Sequence, residues 1–310
     1  MTAFARWLLT RRAASAVRAI GLLVFVAVIV AATAGGAPPA WGGAGTRTVR
    51  HVVILSVDGA RADATRQVFP PALLARAAYS WTAQTTLPSS TLPAHTSMLT
   101  GVPPSVHGMR SNPDNPPGRI RRPTVFSVVT RHGGRTAAFV TKRKLLWLVP
   151  SAASMHAVYL PYPRYAMPLA AEEAMRYLTR YRPDLLFLHV SDPDARGHAS
   201  GWMSEPYLAA MRKVPDAVSA ILEALAGMGR LGESLLIVTA DHGGTGRRHG
   251  GAAPEETTIP WLAFGAVTPG AIGGPVMIYD TAATAIAGLG LSLPAGWRGR
   301  PVIPVAEQGR

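Results

Sequence analysis

The chain contains no cysteine among its 310 residues. That absence excludes disulfides, thiol catalysis, iron–sulfur clusters and lipid attachment through a lipobox cysteine, so no covalent cross-link supplements the core. Acidic residues are scarce as well: 17 Asp and Glu stand against 31 Lys and Arg, a formal net charge of +14. An excess of that size favours anionic partners through long-range steering. Yet no run of five or six basic residues occurs, the densest stretch being Arg119 to Arg122, and no DNA-reading motif is present. Specific nucleic-acid recognition is therefore not expected. There is no internal repeat and no P-loop, since Gly243-Gly244-Thr245-Gly246 lacks the lysine and the spacing of one. With 48% hydrophobic and 15% charged residues, disorder is excluded, and the length suffices for the core of one sizeable domain.

No Asp or Glu lies in the first 57 residues, where Arg6, Arg11, Arg12 and Arg18 precede an apolar run from about Ala19 to Val30. That order, followed by the small residues Ala32-Thr33-Ala34, is the layout of a secretory signal. The apolar run is shorter than the ~20 residues that span a bilayer. Residues 1–34 are accordingly expected to direct export to the periplasm or the extracellular side, with an uncleaved membrane anchor through residues 13–34 as the alternative. Residues 35–46 are rich in Gly and Pro and read as a flexible linker. A single catalytic domain is expected over residues 47–310.

Short apolar runs at His51–Val57, Thr136–Val140, Leu185–Val190 and Leu235–Thr239 read as buried strands. Helical patterns lie between them, at Pro70–Tyr79, Leu169–Tyr181 and Glu205–Met228. This alternation predicts an α/β fold: a mostly parallel central sheet flanked by helices on both faces, in three layers.

What the sequence does have is a set of acids and imidazoles at the ends of those strands. Asp58 follows the first, Asp194 lies beyond the third with His198 four residues on, Asp241 and His242 follow the fourth, and His249 comes shortly after. In an open α/β sheet the carboxyl ends of the strands form the ligand crevice. Six oxygen and nitrogen ligands suit zinc, and six groups shared between two ions leave each with open positions for substrate or water.

The segment from Ser89 to Gly101, SSTLPAHTSMLTG, adds a Thr-x-Pro-x-His pattern at Thr91. Together with Val57-Asp58-Gly59, Pro193 to His198, Thr239 to Gly243 and His249-Gly250-Gly251, it resembles the alkaline phosphatase superfamily, and within it the type I phosphodiesterase/nucleotide pyrophosphatase family. The resemblance implies a metal-dependent phosphoester hydrolase with two divalent ions, zinc being the expected metal. By the same resemblance Thr91 is the nucleophile and a ligand of one metal together with Asp58, Asp241 and His242. Asp194, His198 and His249 hold the other, and Asn112 binds a phosphoryl oxygen. A zinc-coordinated threonine hydroxyl can act as a nucleophile without a separate base.

The expected partner is a small anionic phosphoester, nucleotides among them, cleaved as a diester through a phospho-threonine. Two other readings stand beside it: a phosphomonoesterase, for which Arg61, Lys142 or Arg247 would supply an extra positive group, and an exported metal- or anion-binding protein without turnover. His95 and His107 are expected to be structural or supporting groups, and His51, His132, His156 and His189 carry no motif.

Overall fold

The computed structural model describes residues 49–152 and 154–303. The expected leader (1–34) and linker (35–46) lie outside the described residues, as do both ends of the 47–310 span.

Eight strands form one sheet: β1 (His51–Val57), β2 (Ala78–Gln84), β3 (Thr136–Val140), β4 (Met155–Tyr159), β5 (Leu185–Val190), β6 (Ser234–Thr239), β7 (Thr258–Gly265) and β8 (Gly270–Ala271). Their order across the sheet is β4-β3-β5-β1-β6-β7-β2-β8. The block from β4 to β6 is parallel throughout, whereas β7 pairs antiparallel with both β6 and β2. β1 lies inside the parallel block, and all seven of its residues are buried. That is why its sequence, HVVILSV, is a continuous apolar run and does not alternate: helices cover both faces of the strand.

The five longest helices among the described residues are α1 (Thr91–Thr100), α2 (Met167–Tyr181), α3 (Asp192–Ser200), α4 (Val214–Gly227) and α5 (Asp280–Gly288). α2 and α4 pack on each other and onto β5 and β6, while α5 packs on α1 and β6. The core between the layers is built from fully buried side chains such as Ile54, Leu55, Phe126, Phe187, Leu236 and Trp261. The three-layer α/β architecture expected from the sequence is therefore the one observed.

Two of the helical expectations are corrected. Pro70–Tyr79 forms only one helical turn, Pro71–Leu74, and from Ala78 the chain becomes β2. Tyr79, Trp81 and Thr82 favour a pleated surface, and the strand alternates inward and outward against β7, so sheet pairing overrides the helical spacing. Glu205–Met228 is two helices, Glu205–Met211 and α4. Pro215 lacks an N–H and its ring conflicts with the carbonyl of Met211, so the chain breaks and restarts with proline in the first turn of α4. Strands β1, β3 and β5 match their expected limits, and β6 begins one residue early.

The register matters most for function. Val57 of β1 pairs with Val190 of β5, Ser56 with Thr239 of β6, and Val140 of β3 with His189. Four neighbouring parallel strands thus end in line, and each passes straight into a segment bearing a charged side chain.

Candidate active site

At the carboxyl edge of the sheet, Asp58 follows β1, Asp241 and His242 follow β6, Lys142 follows β3, and Asp194 and His198 lie on α3 after β5. Backbone bonds stitch these segments together. Asp194 N–H donates to the Asp58 carbonyl (3.1 Å), and Gly59 N–H donates to Asp241 Oδ1 (3.1 Å). The close approach depends on glycine, because a Cβ on Gly59, whose φ is +73°, would lie 2.9 Å from the Cα of Asp194.

Two clusters result, and they contain all six acids and imidazoles singled out from the sequence. In the first, Asp58, Asp241 and His242 are fully buried, with His242 Nε2 3.5 Å from Asp58 Oδ1 and 3.3 Å from Asp241 Oδ2. In the second, Asp194 Oδ1 lies 3.4 Å from His198 Nε2 and 3.6 Å from His249 Nε2. Asp194 and His198 are one helical turn apart on α3, as their spacing implied.

The three histidines share one hydrogen-bonding arrangement. Nδ1–H of His242 donates to the Gly243 carbonyl (2.8 Å), that of His249 to the Ser89 carbonyl (2.9 Å), and that of His198 to the Arg247 carbonyl (3.0 Å). A carbonyl can only accept, so each ring carries a proton on Nδ1, and in its neutral form each ring presents an Nε2 lone pair to its cluster. Asp58 Oδ1, Asp194 Oδ1, Asp241 Oδ2 and His242 Nε2 are buried and have no hydrogen-bond partner among the described residues. Leaving a buried polar atom unsatisfied costs about 1–3 kcal/mol. Four such atoms converging on the same edge fit divalent cations, and the carboxylate and imidazole donors match zinc chemistry.

Thr91 opens α1 and is buried beside these clusters. Lys142 Nζ donates to Thr91 Oγ1 (3.2 Å) and Asp194 Oδ2 (2.7 Å) and pairs with Asp58 Oδ2 (2.7 Å). Asn112 is close by: its Oδ1 accepts the backbone N–H of Leu92 (3.1 Å) and a bond from Lys144 Nζ (3.1 Å). The Leu92 N–H, a donor in the first turn of α1, is thus committed to Asn112 and not to a phosphoryl oxygen.

The electrostatics follow from this crowding. Burial works to raise Asp58, but the Lys142 ammonium and the His189 contact hold it well below the usual carboxylate range. Burial and the Asp58 charge act upward on Asp194, yet Lys142 and His198 bring it down to about 2. Asp241, driven by burial and by the Asp58 charge, is pushed well above the ordinary value. Burial and the neighbouring His249 bring His242 down to about 4, so it is neutral near pH 7. On Lys142 burial acts downward, but the carboxylates of Asp58, Asp194 and Asp241 outweigh it and keep the ammonium charged.

Two further residues complete the site. His189, at the end of the apolar strand β5, donates from Nε2 to Asp58 Oδ2 (2.9 Å) while its Nδ1 accepts from the Thr141 backbone N–H (3.3 Å). His95 donates from Nδ1 to the Thr91 carbonyl (2.7 Å) and accepts at Nε2 from the Ser56 hydroxyl (2.8 Å), tying α1 to β1. The one signal for His189 in the sequence is an imidazole inside an otherwise apolar strand; its partner is fixed only by β5 lying next to β1.

A family model described as type I phosphodiesterase/nucleotide pyrophosphatase matches residues 52–250. No sequence among the curated proteins matches the chain. Among solved structures, murine ectonucleotide pyrophosphatase/phosphodiesterase 5 superposes with a TM-score of 0.69 at 14% identity, covering 82% of this chain and 100% of that one. A 2-O GAG sulfatase gives a TM-score of 0.63 at 14% identity, covering 81% of this chain and 73% of the other. A sulfatase of glycosaminoglycan metabolism from Bacteroides thetaiotaomicron gives 0.62 at 16% identity, covering 81% and 75%. At these identities the structures establish a shared fold. With the family match spanning well over half of its length, the chain belongs to the type I phosphodiesterase/nucleotide pyrophosphatase family, metal-dependent phosphoester hydrolases of the alkaline phosphatase superfamily.

Proposed function

We propose that the protein hydrolyses phosphodiester or pyrophosphate bonds through a phospho-Thr91 intermediate, with one cation held by Asp58, Asp241, His242 and Thr91 and a second by Asp194, His198 and His249. The observation that carries this reading is the convergence of unpartnered carboxylate oxygens and imidazole Nε2 atoms beside one buried threonine hydroxyl. When bound, two zinc ions would lower the pKa of the threonine hydroxyl and neutralise the charge that builds on the entering and leaving oxygens.

The chain's own groups do the rest. α1, anchored through His95 and Ser56, holds Thr91 at its first position, where its Oγ1 receives the Lys142 hydrogen bond. Asn112, fixed by the Leu92 N–H and Lys144, keeps its amide next to the nucleophile, where the Nδ2–H can donate to a non-reacting phosphoryl oxygen. Attack by Thr91 Oγ1 releases the alcohol or nucleotide leaving group, and water then returns Thr91 and completes the hydrolysis.

The substrate class is an anionic phosphoester, with nucleotides favoured because the structure of murine ectonucleotide pyrophosphatase/phosphodiesterase 5 was determined in complex with AMP. Sulfate esters are not proposed, despite the sulfatase folds, because a threonine cannot form the formylglycine that those enzymes use. Export through residues 1–34, and a catalytic domain over 47–310, remain part of the same proposal. The test is a panel on the zinc-loaded protein. Bis-nitrophenyl phosphate and a nitrophenyl nucleotide diester should turn over faster than mono-nitrophenyl phosphate, and nitrophenyl sulfate should not turn over. A protein that cleaves none of the phosphoesters sinks the reading.

A further inference from the structure

We propose that the protein carries a second anion site, at the amino-terminal edge of the sheet and separate from the metal centre, where Arg50, Arg135, Arg182 and Arg230 bind a phosphate-bearing ligand. The inference does not depend on the hydrolytic reading given above.

The four strands whose carboxyl ends meet at the candidate active site, β3, β5, β1 and β6, lie side by side and run parallel. Each is also entered from an arginine. Arg135 immediately precedes β3 and Arg50 immediately precedes β1, while Arg182 lies three residues before β5 and Arg230 four before β6. Parallel strands bring all four to one edge, and the seven residues of β1, at ~3.3 Å each, set that edge about 20 Å from Asp58. There the four arginines line a cavity of about 450 Å³.

Their guanidiniums are positioned but not used up. Glu233 Oε2 accepts from Arg50 Nε (3.1 Å) and Arg230 Nη1 (2.6 Å), which draws those two side chains together. Arg135 Nη2 donates to the Arg182 carbonyl (3.1 Å), and the Arg182 side chain has no hydrogen-bond partner among the described residues. A guanidinium carries five N–H donors, so each keeps most of them for a ligand. The carboxylate in the wall, Asp184, has its Oδ2 committed to the Arg135 backbone N–H (2.7 Å). Four guanidiniums against Asp184 and Glu233 leave an excess of two positive charges, the complement of a phosphate dianion.

A buried imidazole completes the wall. His51 keeps only 7% of its surface exposed, and its Nδ1–H donates to the Pro183 carbonyl (2.8 Å). In the neutral ring the Nε2 lone pair is then left without a hydrogen-bond partner among the described residues. That nitrogen can accept the P–OH of a hydrogen phosphate while the guanidiniums donate to its other oxygens.

Helix ends account for only part of this arrangement. A cation is favoured at a helix C-terminus, and Arg182 caps α2 with a left-handed φ of +47°. Arg50 and Arg135 enter strands, whose net dipole is small, and gain nothing of that kind. The ligand is therefore a phosphate or phosphate monoester, supplied either free in solution or as the headgroup of an anionic lipid.

The experiment reads inorganic phosphate binding by calorimetry, and cosedimentation with phosphatidylcholine vesicles with and without phosphatidate, on the zinc-loaded and the chelated protein. The variant is Arg135→Gln combined with Arg182→Gly; glycine accepts the left-handed backbone at that position more readily than arginine, and neither residue touches the metal centre. The chelated wild type should still bind phosphate, and the double variant should bind it at least about tenfold more weakly, the scale of a lost charge-assisted hydrogen bond. Turnover of bis-nitrophenyl phosphate by the zinc-loaded protein should stay within about twofold, since the two sites lie a strand length apart. Vesicle binding that requires phosphatidate and is lost in the variant identifies a lipid headgroup, and phosphate binding without vesicle binding identifies a free ligand; either supports the site. A chelated wild type that takes up neither, or a variant that matches the wild type on both, overturns the inference. A parallel loss of turnover and phosphate affinity would place the phosphate at the metal centre and overturn it as well. Should the double variant unfold, Arg182→Gly alone carries the same comparison.

Discussion

His198 Nε2 and His249 Nε2 face each other at 3.2 Å, and because both rings donate from Nδ1 to backbone carbonyls, their neutral forms set two Nε2 lone pairs against each other. Two lone pairs at that distance repel unless a cation lies between or beside them. Chelation should therefore abolish activity, zinc should restore it, and elemental analysis should find two equivalents in the loaded protein. His249→Ala should retain about one equivalent. Binding to the folded state alone also stabilises it by about 2.7 kcal/mol at a hundredfold excess over the dissociation constant, so the chelated protein should melt measurably lower. A melting temperature indifferent to zinc would contradict the site.

Replacing Thr91 with alanine removes the attacking oxygen without touching the six acid and imidazole side chains. Turnover should drop by about three orders of magnitude or more, and acid-quenched wild-type reactions should show an 80-dalton adduct on the peptide containing Thr91 that the variant lacks. Zinc content should change little, since three protein ligands remain at that cation. Retention of substantial turnover would remove the phospho-threonine from the pathway.

His189 acts through Asp58. Substituting alanine leaves Asp58 Oδ2 with Lys142 as its remaining side-chain contact, so zinc affinity should weaken by about 10–100-fold, measured by competition with a chromophoric chelator. His189→Gln, whose amide can still donate, should recover part of that loss. A purely structural role would lower the melting temperature of both variants while leaving zinc affinity alone.

Burial, helped by Arg122 and Arg110, lowers His107 to about 4. Its ring is fixed neutral: Nδ1 accepts from the Met109 N–H (3.1 Å), and Nε2–H donates to Ser97 Oγ (2.9 Å). The unfolded chain takes up this proton near the ordinary value of 6.5, before the folded one does, so the contribution is complete above that pH and is lost as the pH falls towards 4. The metal-free wild type should therefore lose its stability advantage over His107→Gln between pH 6.5 and 4, as read by denaturant titration. An advantage that is flat across that window would count against a neutral, half-buried His107.

The parts of this site legible in the sequence are those written locally. Asp194 and His198 are one turn apart, Asp241 and His242 are adjacent, and each follows a β-rich apolar run whose end marks the crevice. The three-layer fold was legible for the same reason, since β1, β3, β5 and β6 are buried on both faces and read as unbroken apolar stretches. What the sequence could not show depends on pairing between distant segments. His189 gains its meaning from β5 lying beside β1, Lys142 from β3 ending level with β5, and β2 from an antiparallel partner nearly two hundred residues later. Lys142 stood as one of three equivalent cations until geometry separated it from Arg61 and Arg247.

The stitching of Asp58, Asp194 and Asp241 across neighbouring strands has a consequence for the life of the protein as well as for its chemistry. Each cation would be gripped by segments that meet only after the parallel sheet has assembled, so occupancy ties together loops of great length, whose closure entropy is already spent in the native state. Ion capture would then work as a ratchet on folding: partly formed sheets would hold metal poorly, complete ones would hold it well, and the chain would be locked at the moment it became competent.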